Sequence, residues 1–409
     1  MSKVDLSVDY CGVKMKSPII AASATPTHDP IACKMAADAG AGGVVLKTLF
    51  AKEAAPSYSY ARPRFTLLNW HPTGKGKTAK YPDSFTLYSI EQSTVFPYDK
   101  YEWYINKTKE LVGENVAVIA SIMGGVEKGW EEQCEIIQGS KADMCELNFS
   151  CPHAAEVEEH IGTAVGSVPE VAEKIVKLVR KKLDIPIIPK MTPQAGNVAA
   201  IAKMCERAGA DAVTIHNRLM GLMIDIDKAR PIEWGCYSGF GGPFMLPLSL
   251  RWIAKAREAG VKIPISATNG YWNWQDPIRA IMVGADNVQT CTAIMVKGFE
   301  EITNWLREME RWMKEKGYTS INDFKGIALK NIIPGDEIER EVPIMAGGTS
   351  SKIAVVDTDK CSLCGWCQKV CFHEAMSMDD YPAVDEEKFE ACGLCASVCP
   401  EGAITIQKK

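Results

Sequence analysis

These 409 residues lack several things that would place them quickly. No run of roughly 18 apolar residues occurs, which argues against a membrane-spanning helix, and Met1 to Lys16 hold no apolar stretch of signal-peptide length. No long basic tract is present and the formal charge is -5, so neither nucleic acid nor membrane is an expected partner. No G-x-G-x-x-G follows a strand-like run. Gly40-Ala41-Gly42-Gly43 precedes one and reads as a turn entering a strand, which disfavours an open dinucleotide-binding sheet.

One cysteine is also missing. Cys361-x2-Cys364-x2-Cys367-x3-Cys371 is followed by Cys392-x2-Cys395-x3-Cys399-Pro400, and Phe389 stands where the second run should begin. In a two-cluster iron–sulfur module the fourth cysteine of each run ligates the other run's cluster. That rule assigns Cys361, Cys364, Cys367 and Cys399 to one [4Fe–4S] cluster. It leaves Cys371, Cys392 and Cys395 for a second, either [3Fe–4S] or [4Fe–4S] with an outside ligand such as Glu387, Glu390 or solvent. Sequence alone favours a cubane with a labile fourth iron. The spacing is not that of common four-cysteine zinc sites. Fifteen cysteines, seven of them in this tail, fit metal ligation in a reducing, cytoplasmic setting better than a disulfide framework.

The rest of the chain alternates short β-branched runs with helical patterns. Expected strands are Ile19–Ala22, Gly43–Lys47, Val116–Ser121, Met144–Asn148, Ile187–Lys190, Ala212–His216, Ile263–Thr268 and Ala285–Gln289, with helices such as Val168–Lys182, Asn197–Ala208 and Leu248–Ala259. The endings Ala39-Gly40, Ala208-Gly209 and Ala259-Gly260 place glycine where a helix stops in left-handed geometry. Eight such units predict an α/β fold, a (β/α)8 TIM barrel over residues 1–320. An extended connector over 321–355 and a C-terminal two-cluster ferredoxin-like domain over 356–409 complete the expected organisation. Residues 50 to 98 form an aromatic insertion that either lines a ligand pocket or makes a satellite core or oligomer contact.

In a barrel, polar residues at the C-terminal strand ends converge on a ligand. Here they are Ser23, Lys47, Ser121, Asn148, Lys190, Asn217 and Thr268. Lysines within the apolar runs Val44–Lys47 and Ile187–Lys190 need a buried partner, and an electron-rich cofactor would serve. Gly241-Gly242, Asn269-Gly270 and Cys291-Thr292 offer backbone N–H groups for a phosphate. Together these point to FMN. Asn148 presents both a donor and an acceptor to a ring edge. Cys151, on the loop leaving the fourth strand, is either a proton donor to carbon or a small apolar residue packed under a ring. His153 and His216 compete as acids or serve as structural hydrogen-bonding residues.

The stretches Ala22-Ser23-Ala24, Leu46-Lys47-Thr48, Ala120-Ser121-Ile122-Met123, Glu146–His153, Pro189–Pro193 and, more loosely, Gly221-Leu222-Met223 resemble those of the dihydropyrimidine dehydrogenase family. The match is to its pyrimidine-reducing part, and the barrel alone resembles class 1 dihydroorotate dehydrogenases. The resemblance implies FMN, contacted by Lys47 and Lys190, a general acid at Cys151, and substrate asparagines at Asn148 and Asn217, and Thr48 is a further expected cofactor contact. Two positions depart from the family. Arg218 replaces a threonine, and the loop containing Ser84–Ser89 lacks an asparagine. The expected function is reduction of a ring C=C bond in a cyclic conjugated substrate, neutral or anionic, contacted also by Arg218 and Ser89. Electrons would come from a separate flavoprotein subunit or a ferredoxin, and an oligomer is expected. Alternatives are dihydropyrimidine or dihydroorotate dehydrogenase activity proper, a non-catalytic electron-transfer subunit, and a tRNA dihydrouridine synthase-like role.

Overall fold

Parallel strands covered on both faces are buried along their length, and the barrel strands of this protein are so even where their residues are polar. The computed structural model describes residues 4–50, 61–73, 80–90, 94, 96–151 and 163–409. Eight parallel strands form the barrel: β1 (Ile19–Ala21), β2 (Gly43–Val45), β3 (Ala117–Met123), β4 (Met144–Asn148), β5 (Ile187–Lys190), β6 (Val213–Ile215), β7 (Ile265–Thr268) and β8 (Asn287–Thr290). Each pairs with its sequence neighbour, and β8 pairs with β1, closing the cylinder. All seven residues of β3 are buried. The observed strands match the expected ones to within about two residues at each end, the usual uncertainty of such boundaries.

Helices cover the outside, among them Pro169–Arg180, Val198–Ala208 and Leu246–Glu258. Asn197 caps the second of these by accepting from Ala200 N at 3.1 Å, and Gly209 ends it with φ +103, a conformation a Cβ would penalise. At the N-terminal face of the barrel one latch occurs three times. Asp143, Asp211 and Asp286 accept from Val118 N, Ile187 N and Ile265 N at 2.7, 2.8 and 2.8 Å. Each is paired with a cation, Lys109, Arg180 and Arg257 respectively, at 2.7–2.9 Å. Each latch ties one strand start to its neighbour and satisfies an otherwise orphaned amide. That face therefore serves stability, leaving the opposite face for chemistry.

Over the C-terminal mouth lies a four-stranded antiparallel sheet, ordered Leu219–Gly221, Ser238–Gly241, Thr86–Ser89, Phe65–Leu68. The aromatic insertion splits its roles here. Trp70 and Phe85 pack edge-on against each other and against Trp272, with centroids 4.7–6.4 Å apart, and join the main core rather than a satellite one. Phe65 instead faces the cavity at the mouth. Tyr58 and Tyr60 lie outside the described residues.

The chain divides into two units, Met1–Asn331 and Ile332–Lys409. The expected connector is thereby split. Its first part belongs with the barrel, because Gly326 N and Ala328 N donate to Ile281 O and Met282 O and Phe324 is buried against Trp312 and Tyr318. In the second unit Lys352–Val356 pairs with Ile404–Lys408, and Met376–Met378 with Pro382–Val384. Its small core contains Ala354, Ala375, Met376, Phe389 and Ile404.

Candidate functional site

The strand ends and the overlying sheet enclose an open cleft with both polar and apolar walls, placed at the barrel mouth where small-molecule sites concentrate. Of the residues singled out from sequence, its wall contains Ser23, Ser89, Lys190, Asn217, Arg218, Gly241, Gly242, Asn269, Gly270, Cys291 and Thr292. Lys47, Thr48, Ser121, Asn148 and Cys151 are not in that wall. Three of these five are tied to it through hydroxyls and amides. Ser23 Oγ lies 3.3 Å from Thr48 Oγ1, which lies 2.9 Å from Ser121 Oγ and accepts from Asn148 Nδ2 at 3.1 Å. Lys47 is buried, and its carbonyl accepts from Tyr101 OH at 2.9 Å.

Asn148 Oδ1 in turn accepts from Ser150 N and Ser150 Oγ at 3.1 and 3.0 Å. Asn217 Nδ2 donates to Ser150 O at 3.0 Å, and Asn269 Nδ2 donates to Asn217 O at 2.9 Å. A chain of amides thus runs from β4 across the mouth and fixes the segment that carries Cys151. That thiol is buried beside Met123, with Phe50 packed against the pair. His153 lies outside the described residues.

Arg218 lies across the overlying sheet. Its Nη1 donates to Ser89 Oγ and, at 3.4 Å, to Ser89 O. Gly239 pairs with Ser89 in the sheet, and a Cβ at Gly239 would stand 2.5 Å from the Arg218 guanidinium carbon. The arginine can lie flat there only because that position is glycine.

Four residues of importance escaped the sequence reading. Glu146, Thr214 and Gln289 form a buried network with Lys190, and Gln289 and Thr290 line the cleft. A glutamate inside the apolar run Met144–Leu147 was the available signal. His216 is buried in the cleft wall and its pKa is lowered to about 4 by burial. It is therefore a neutral imidazole near neutral pH, which removes it as the acid. Its Nδ1 faces Asn217 O at 2.7 Å, so that nitrogen carries the hydrogen. Burial likewise pushes the thiols of Cys33, Cys134 and Cys205 up to about 12, which marks them as packing residues.

The donor set fits FMN. Thr290 Oγ1 is buried in the cleft wall with no protein partner among the described residues, and a buried hydroxyl left so calls for a ligand atom. A Cβ at Gly242 would lie 2.3 Å from Phe85 O, and one at Gly270 2.3 Å from Leu246 N. The backbone therefore comes close at the two turns expected to hold a phosphate.

In the second unit the seven cysteines line two small cavities. Cys361, Cys364, Cys367 and Cys399 line one, and Cys371, Cys392 and Cys395 the other. Among the described residues no three His, Cys, Asp or Glu side chains converge on a single metal ion; ligands of a cluster bind separate irons. The two halves repeat at an offset of 28 residues, which superposes Cys364, Cys367 and Cys371 on Cys392, Cys395 and Cys399. The backbone repeats with them. Gly365 and Gly393 have φ +74 and +80, and Leu363 and Ala391 +58 and +51. Ala375 N donates to Cys371 Sγ at 3.2 Å and Ala403 N to Cys399 Sγ at 3.3 Å, the kind of amide–sulfur bond that sets a cluster's potential.

Comparison with known proteins agrees with both units. Residues 96–313 match the family described as Dihydroorotate dehydrogenase, and residues 354–377 and 383–405 each match a 4Fe-4S binding domain. The NAD-dependent dihydropyrimidine dehydrogenase subunit PreA of Escherichia coli K12 is 31% identical over 92% of this chain and 88% of its own length. The catalytic subunit of dihydroorotate dehydrogenase B (NAD(+)) from Pyrococcus abyssi is 31% identical over 80% of this chain and 99% of its own. That of Methanothermobacter thermautotrophicus is 36% identical over 54% of this chain and 71% of its own. Among the described residues no helix is long and apolar enough to cross a membrane.

Proposed function

The chain belongs to the dihydroorotate dehydrogenase family, and on that premise we propose that it reduces a ring C=C bond of a cyclic, anionic substrate. FMN bound in the cleft would supply hydride to one ring carbon and exchange single electrons with iron–sulfur clusters. Lys190, Asn269, Thr290, Thr292 and the Gly241-Gly242 and Gly270 turns would hold it, with Ser23, Lys47, Thr48 and Ser121 behind them. Asn148 and Asn217 are pre-oriented by the Ser150 backbone and would grip the polar edge of the substrate. Cys151 would deliver the proton to the second carbon from its Sγ. Arg218 would meet the anionic substituent, as a guanidinium suits a carboxylate.

The observation that carries this reading is Arg218 in the cleft wall together with Lys190, Asn217 and the unpartnered Thr290 hydroxyl. Electrons would enter from a separate flavoprotein or ferredoxin. All three of these relatives are named as subunits, and Cys364 and Cys392 lie at the surface of the second unit, where another protein would exchange single electrons. The test is anaerobic mixing of the reduced holoprotein with uracil, orotate and cyclic aromatic carboxylates. Rapid reoxidation by an acidic ring compound is expected. Equal turnover of neutral uracil by the wild type and by Arg218→Ala would overturn the anionic assignment.

A further inference from the structure

The 28-residue repeat places Phe389 at the position that Cys361 holds in the first half. The backbone around both positions is alike, so the change is confined to the donor. Phe389 is 5% exposed and packs with Met376, Ala375 and Cys395, and its side chain lines the three-cysteine cavity. A phenyl ring offers no donor atom at that position and occupies the space that a cysteine side chain would leave open. We propose that this cavity holds a [3Fe–4S] cluster on Cys371, Cys392 and Cys395, with Phe389 closing the corner where a cubane needs its fourth donor. The inference rests on the iron–sulfur reading above and departs from the cubane that sequence alone favoured.

The other oxygen and nitrogen donors nearby are badly placed for that corner. Glu390 lines the cavity, but its Oε1 accepts from Ile344 N at 2.8 Å. His373 also lines the cavity, but it follows Cys371 by only two residues and is exposed to solvent. Glu387 is exposed and absent from the cavity wall.

The experiment uses full-length holoprotein purified without oxygen, with iron quantification and low-temperature EPR of the oxidised state. About seven irons per chain and an oxidised-state three-iron signal near one spin per chain are expected. The signal should survive incubation of the reduced protein with ferrous iron and thiol. Phe389→Cys should bind about one more iron after the same incubation and lose the signal. About eight irons without the signal in wild type, or loss of the signal on ferrous incubation of wild type, would overturn the proposal, and Glu390→Gln and His373→Ala would then identify the fourth ligand. Fewer than about four irons per chain would overturn the cluster reading itself, and this proposal with it.

Discussion

Glu146 Oε1 lies 3.2 Å from Lys190 Nζ in the interior of the barrel, with the two side chains 1% and 7% exposed. Gln289 bridges them, accepting from Lys190 Nζ at 3.1 Å and donating to Glu146 Oε2 at 2.8 Å, and Thr214 Oγ1 donates to the same carboxylate oxygen at 3.0 Å. The lysine that faces the cleft thus has a counter-charge beneath it. Its ammonium favours an electron-rich ring above it, and the carboxylate offsets that preference. Glu146→Gln keeps the shape and removes the offset, so the bound flavin should become easier to reduce. A positive shift on the order of 30 mV, equivalent to about 1.4 kcal/mol in a two-electron couple, is expected in a spectroelectrochemical titration. A shift to more negative potential would contradict this role.

Truncating the same carboxylate tests its structural share. Glu146→Ala leaves Lys190 buried without a counter-charge, and breaking such a pair typically costs about 3–5 kcal/mol. Chemical denaturation should show that loss, and Glu146→Ala combined with Lys190→Met should recover part of it. Equal instability of the single and double variants would mean that packing, not charge, dominates the site.

The barrel was legible because its physics is local. β-branched runs, helix-ending glycines such as Gly209 and the eightfold alternation each carry their own signal. The grouping of the seven cysteines about two cavities was legible because cysteine spacing is nearly a geometric statement. What the sequence hid depends on tertiary convergence. Glu146, Thr214 and Gln289 come from three strands and acquire meaning only when the cylinder closes. The aspartate latches at Asp143, Asp211 and Asp286 follow an alanine each time, a repeat visible in the sequence but uninterpretable without the neighbouring amides. Gly239 could not be linked to Arg218 before the sheet register was known. His216 looked like a candidate acid until its burial set its charge.

That burial has a measurable consequence for acid stability. His216 is 0% exposed and its pKa falls from an ordinary 6.5 to about 4. Below about pH 6.5 the unfolded chain takes up a proton that the folded chain refuses, so stability declines as pH falls, until both states are protonated below about 4. The decline attributable to this residue is at most about 3.4 kcal/mol. His216→Gln should flatten that limb of the stability–pH curve between pH 6.5 and 4 relative to its own value at pH 8. An undiminished slope would assign the acid sensitivity to carboxylates instead.

For Cys151, the proposed proton delivery predicts a selective defect. Cys151→Ala should retain FMN and iron content, since the thiol is not among the groups proposed to hold FMN and belongs to neither cluster cavity. Its turnover should fall by about 10²–10⁴, the usual contribution of a positioned acid. Reduction of the flavin by an artificial electron donor should be unaffected. Turnover within tenfold of wild type would return Cys151 to the packing role.

Arg218 offers the sharpest test of substrate class, because two independent substitutions should converge. Its guanidinium lies against Gly239 and donates to Ser89. Loss of a charge-assisted hydrogen bond costs about 1.5–3 kcal/mol, so Arg218→Met should weaken binding of an acidic ring compound by about 10- to 150-fold. Gly239→Ala leaves the arginine in place chemically but drives a methyl into its guanidinium carbon, so the group must swing away. The two variants should therefore show similar losses for the acid and little loss for its neutral amide analogue. If Gly239→Ala binds the acid as well as wild type does while Arg218→Met does not, the arginine acts on the anion from a different rotamer, and the sheet does not position it.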